Sequence, residues 1–177
     1  MALISASNII TSLALFHLTT ASFFLTAPAM IADQTLVFII GEAMGLPYTP
    51  AFEEKSPQLS FLAAVLLLLG ITDLVAVNLP EEIGQYHWGT QAPVRLFVFF
   101  GLCFYSYAFS SSSPAYTSGH NVYVPSTWGE GLKNRVLFTW AFLELIAWFW
   151  IFVSLREERR GIAQRVAQRR AAENDRL

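Results

Sequence analysis

Residues 56–109 read SPQLSFLAAVLLLLGITDLVAVNLPEEIGQYHWGTQAPVRLFVFFGLCFYSYAF. Two apolar runs flank the acidic turn Leu79-Pro80-Glu81-Glu82. The first holds a single charge, Asp73, and the second a single charge, Arg95. Ser56 is a ready N-cap with Pro57 at the first helical position, and the 23 residues from there to Leu79 are enough to cross a hydrocarbon core of roughly 30 Å. Pro93 reads as the opening of the second run, which continues to Phe109. The stretch is therefore a transmembrane hairpin with an acid and a base toward the same face of the bilayer. Lipid hydrates neither group, so each needs a partner, water or headgroups.

The rest of the chain agrees with that hairpin. Of 177 residues 54% are apolar, and the excess lies in long runs: residues 1–32 and 96–129 contain no charged side chain. A soluble helix of such length carries a charged face. The first span covers about residues 5–27, with His17 near its middle. Ala27-Pro28-Ala29 has the small residues of a signal-peptidase site, but no Lys or Arg precedes the apolar run and that run is too long, so the segment reads as a retained helix. In residues 29–45, Asp33, Gln34, Gly41, Glu42 and Gly45 recur at helical offsets among apolar neighbours. They predict a helix lying in the interface; a re-entrant or fifth crossing is the alternative, and it would reverse the N-terminus. The fourth span covers about residues 136–155, with Glu144 near its centre, and Arg156, Arg159 and Arg160 stop it.

The expected fold is thus an all-α membrane protein: a four-helix transmembrane domain over residues 1–155 (spans about 5–27, 57–79, 93–109 and 136–155), an extra interfacial helix after the first span, and a short basic C-terminal helix in a cytoplasmic tail, 156–177. That tail holds seven Arg against four acids, a local +3 beside −5 for the remainder. Positive charge is retained in the cytoplasm, and an even number of crossings puts both chain ends there. Arg156, Arg159, Arg160, Arg165, Arg169 and Arg170 would meet the lipid surface, and no nucleic acid is called for. The turn at Glu81, Glu82 and His87 becomes a cytoplasmic docking surface, its acids also complementing a helix start. Residues 110–131 form a Ser- and Pro-rich loop in which residues 122–124 suggest a short extended piece.

Depth pairs the interior charges. His17 and Glu144 lie near the midpoints of the first and last spans; Asp73 and Arg95 lie toward the cytoplasmic ends of the second and third. Such pairs would tie first to last helix and second to third. Catalytic and cofactor patterns are missing: there is no His-Glu-x-x-His, no Gly-x-Ser-x-Gly, no P-loop and no dinucleotide fingerprint. His17, His87 and His120 fall on different segments, and Cys103 is the only cysteine, so neither a metal site nor an internal disulfide is expected.

Several stretches resemble the fungal family named for increased loss of mitochondrial DNA: Met-Ala-Leu-Ile-Ser-Ala at the start, Leu15-Phe16-His17-Leu18-Thr19, Gly41-Glu42-Ala43-Met44, Asp73-Leu74, Leu79-Pro80-Glu81-Glu82 and Gln91-Ala92-Pro93-Val94-Arg95-Leu96. The resemblance spans about the first two thirds of the chain. It implies a small integral protein of the endoplasmic reticulum membrane whose loss destabilises the mitochondrial genome, and it brings no catalytic residues with it. The expectation is a non-enzymatic accessory or scaffold subunit without cofactor, working through lipids and other membrane proteins, with an indirect mitochondrial effect. The alternatives are an oligomeric ion or small-solute conductor lined by Asp73, Glu144 and His17, and an enzyme or cofactor subunit of lipid metabolism around Asp73, His87 and Arg95.

Overall fold

The computed structural model describes residues 5–110, 113 and 129–174, of which 162–163, 165–167 and 169–174 are described by backbone alone. These residues form six α-helices and no strand: α1 (Ala6–Thr26), α2 (Ala29–Ala32), α3 (Thr35–Ala43), α4 (Pro57–Val77), α5 (Glu81–Ala108) and α6 (Arg135–Asn174). Residues 122–124 lie outside the described residues, as does His120.

Local chemistry sets the helix starts. The Ser5 hydroxyl accepts the Asn8 N–H, Ser56 accepts the Leu59 N–H at 3.2 Å ahead of Pro57, and Asn134 Oδ1 accepts the Leu137 N–H at 2.9 Å. Each cap satisfies an N–H that the helix itself leaves bare. Pro80 precedes α5, whose first turn carries Glu81 and Glu82.

α4 shows what medium the fold requires. Leu59, Ala63, Leu66, Gly70 and Asp73 repeat at steps of four and three and form one buried stripe. Phe61, Val65, Leu68, Ile71 and Val75, on the remaining surface, are exposed. A helix apolar all round but packed on a single stripe suits hydrocarbon, not water. By length and composition three helices can cross a membrane: α1, α4 and the part of α6 up to Gly161.

The four long helices alternate in direction. Gly70 approaches Ala14 and Leu18, while Leu59 and Leu66 share a cluster with Ala21 and Phe24, so α4 runs antiparallel to α1. Trp88 meets Trp148 and Phe99 meets Trp140, so α5 runs antiparallel to α6. Small residues permit the first contact: a Cβ on Gly70 would stand 2.9 Å from the Ala14 carbonyl oxygen and 2.9 Å from Leu18 Cδ2. Gly70→Val is expected to part α1 from α4 and cost about 1–3 kcal/mol. Gly101, with open space around its missing Cβ, should accept alanine silently; melting both variants in detergent checks the contrast.

Three expectations need correction. Pro93 opens nothing: α5 is one helix of 28 residues with the proline inside it. The missing N–H frees the Gly89 carbonyl, yet Trp88, Ala92 and Phe99 form one buried stripe across the proline, and a break there would unseat half of it. The longest uncharged part of α5 is the thirteen residues 96–108, about 20 Å, shorter than α1 or α4. The anticipated single interfacial helix is two, α2 and α3, separated at Asp33 and Gln34. At nine residues α3 is about 13 Å long, too short to cross. Finally, Arg156, Arg159 and Arg160 end the apolar stretch of α6 but not the helix, which continues to Asn174, so no separate tail helix starts at 156.

Candidate functional site: an ionic core shared by four helices

The structure brings His17 and Glu144 together at the centre of the bundle, both fully buried, with His17 Nε2 hydrogen-bonded to Glu144 Oε1. With the carboxylate ionised, the ring nitrogen is the donor. Among the described residues His17 Nδ1 has no partner. A ring protonated only at Nε2 leaves a lone pair unmet there; a second proton would leave a buried donor unmet.

Asp73 and Arg95 also meet, in the bidentate arrangement that suits a guanidinium and a carboxylate: Arg95 Nη1 donates to Asp73 Oδ2 at 2.7 Å and Nη2 to Oδ1 at 2.8 Å. Asp73 sits at 3% exposure, so nearly all its neutralisation comes from this one partner. Asp73 comes from the last turns of α4 and Arg95 from the middle of α5, so the pair bridges two helices that each pack chiefly on another partner, α4 on α1 and α5 on α6.

Trp148 joins the two pairs. One turn beyond Glu144 on α6, about 6 Å along the axis, its indole Nε1–H donates to Glu144 Oε2 at 2.9 Å. Its ring face carries the Arg95 guanidinium, with Cζ 4.6 Å from the centroid, and Trp88 lies against the same cation at 5.9 Å. An indole offers a polar edge and an electron-rich face, so Trp148 binds the acid with one and the base with the other. The result is one continuous path from α1 to α4: His17, Glu144, Trp148, Arg95, Asp73. The i, i+4 spacing of Glu144 and Trp148 was the available sign of this link; on that spacing two side chains share a helix face.

The remaining predicted site residues do not join this core. Glu81 and Glu82 are exposed at the start of α5, and half-buried His87 stands edge-on to Trp88. Arg156, Arg159 and Arg160 are exposed around a recess floored by Gly89, Phe152 and Leu155. The Arg159 guanidinium donates to the Gln85 carbonyl, and Glu158 Oε1 accepts the Ala6 N–H at 3.0 Å. Hence one turn of α6 closes the starts of both α1 and α5. The side chains of Arg165, Arg169 and Arg170 lie outside the described residues. Among the described residues no group of His, Cys, Asp and Glu is placed to hold a metal ion.

Arg135 is a further organising residue that the sequence reading passed over. Its Nε donates to the Leu46 carbonyl at 2.8 Å, Nη2 donates to Glu42 Oε2 at 3.0 Å, and its stem lies where a Cβ on Gly41 would go. Arg135→Ala should loosen α3 from α6, raising hydrogen exchange over residues 35–46 about tenfold while the four long helices stay protected.

An all-helical bundle with membrane-length apolar helices, knitted by a buried ionic core, is the class of protein these features define. The sequence model for the family described as "Increased loss of mitochondrial DNA protein 1" matches residues 4–165, and the chain belongs to that family. It is similar to Protein ILM1 of Saccharomyces cerevisiae, 27% identical over 165 residues that make up 93% of this chain and 71% of the yeast protein. No solved structure matches.

Proposed function

We propose that the chain is a four-crossing accessory or scaffold subunit of the endoplasmic reticulum membrane, that it catalyses no reaction, and that its effect on mitochondrial DNA is indirect. In this reading α5 is the fourth crossing. It lies antiparallel along the apolar part of α6, and Asp73 neutralises the one charge, Arg95, that would hinder its burial. Both chain ends then share the cytoplasmic side with the Arg-rich part of α6, and a reporter fused to either end should be reached from that side alone. The endoplasmic reticulum and the mitochondrial genome enter through the family, whose name records a phenotype.

One observation carries the choice of a subunit over a conductor or an enzyme: the interior charges are spent on one another. Glu144 has two donors, Asp73 receives both arms of Arg95, and Arg95 is stacked on indole. A conducting path or an active site needs at least one such group turned toward water or substrate. Co-purification in mild detergent tests the reading: the chain is expected to come out in fixed stoichiometry with other membrane proteins. Isolated protein that gives ion flux in liposomes, abolished by Glu144→Gln, would replace the subunit with a conductor. A direct lipid precursor accumulating on deletion would replace it with an enzyme.

A further inference from the structure

Between α1, α3, α4 and the beginning of α6 lies a cavity of about 280 Å³. An apolar cavity of about 150 Å³ accommodates benzene, so this one has room for a longer hydrocarbon body. Phe24, Val37, Leu62 and Leu66 line it, and Phe16 and Leu36, both more than a third exposed, stand at its edge. Thr19, Thr20, Gln34, Thr139 and Trp140 bring polar groups to this otherwise apolar wall, and two buried ones have no partner among the described residues. Thr139, at 3% exposure, leaves Oγ1 unpaired, and neighbouring Trp140 leaves Nε1–H unpaired. Several helix hydroxyls of this protein, those of Thr11, Thr19, Thr26 and Thr72 among them, bond back to a carbonyl one turn earlier, as Thr19 does to Leu15 at 2.8 Å. Thr139 does not. A buried hydroxyl and a buried indole N–H left unmet on consecutive residues, both of which line one cavity, are an incomplete hydrogen-bond set.

We propose that this cavity is a binding site for a neutral lipid, its hydrocarbon body among the apolar side chains and its single hydroxyl or carbonyl oxygen at Thr139 and Trp140. The indole can only donate and the hydroxyl can donate as well, so the ligand must bring an acceptor oxygen. Among the described residues no Asp, Glu, His, Lys or Arg lines the cavity, so a charged head would find no counterion there. Thr139 stands 17 residues before Arg156, about 26 Å along α6, which places the site in the leaflet away from the Arg cluster. Nothing in this site depends on the chain being a subunit, and binding can fail or hold independently of that reading.

The test is photolabelling of the full chain in phosphatidylcholine nanodiscs with two probes in separate arms, a diazirine-bearing long-chain alcohol and a diazirine-bearing sterol, with labelled peptides located by mass spectrometry. At least one probe is expected to label the second half of α1, α3 or the start of α6 saturably, and to be displaced by its unlabelled parent; which one does so identifies the hydrocarbon body. Trp140→Phe and Thr139→Val should each raise the half-saturating concentration about tenfold, whereas Thr139→Ser, which keeps the hydroxyl, should leave it unchanged. Melting curves of the same samples separate lost binding from lost fold, and Leu66→Trp, which fills the cavity, should suppress labelling without touching either polar group. Labelling that rises linearly with both probes, as it would on any lipid-facing surface, overturns the site. So does saturable labelling that both polar variants leave intact.

Discussion

Arg95→Ala is expected to lower the stability of the fold by about 3–5 kcal/mol, because it strands Asp73 as an uncompensated acid in a nearly closed site. The loss exceeds what a surface pair would give, commonly 1 kcal/mol or less, since Asp73 has 3% of its surface exposed and both of its oxygens are held by the same guanidinium. The indole faces of Trp148 and Trp88 lose their cation in the same step. Thermal melting in detergent should fall by about 10 °C or more. Arg95→Lys should recover only part of this, because an ammonium gives neither the parallel pair of bonds nor the planar stack. Replacing both partners, Asp73→Leu with Arg95→Met, should recover most of it, because no charge is then stranded. Wild-type melting of Arg95→Ala would mean that Asp73 has water at hand, and would revive the conductor.

Glu144→Leu should come second, at about 2–4 kcal/mol. One carboxylate serves two donors there, His17 Nε2 on one oxygen and Trp148 Nε1 on the other, and the substitution leaves both unmet in a fully buried place. Glu144→Gln keeps an acceptor for one of them and should cost about half as much or less. The shared path makes a sharper expectation. A double-mutant cycle between His17→Ala and Glu144→Gln should show direct coupling of about 1 kcal/mol, and one between His17→Ala and Arg95→Lys a smaller coupling of about 0.5 kcal/mol, carried through Trp148. Zero coupling in the second cycle would divide the core into two independent pairs.

Depth along helices made much of this core legible. His17, Glu144, Asp73 and Arg95 stand out because charge and imidazole are rare in apolar runs, and equal depth on alternating helices pairs them. The caps at Ser56 and Pro57 were legible because capping is decided within four residues. Pro93 misled because its local preference for ending a helix was outweighed by Trp88, Ala92 and Phe99 packing on both sides of it, and that packing belongs to α6, far away in sequence. The same distance hid the role of Trp148. Its hydrogen bond to Glu144 was readable from the i, i+4 spacing, but its stack on Arg95 needs two helices in register. Arg135 was obscured by its position at the start of an apolar run, where an arginine has the simpler explanation of reaching for headgroups. The division of residues 29–45 into α2 and α3, and the cavity that α3 helps enclose, had no sign in a pattern of polar offsets.

The bond between His17 and Glu144 also sets a timetable for biogenesis. The two residues are 127 positions apart, so at 5–20 residues per second a ribosome delivers the acid about 6–25 s after the imidazole. Until then the earliest helix travels with a polar ring it cannot satisfy, and the amide of Ala6 waits longer still, for Glu158. Insertion factors that shelter half-made membrane proteins have a definite client in that interval. A messenger truncated before codon 144 would yield a product that has every helix of the hairpin and no way to close around it.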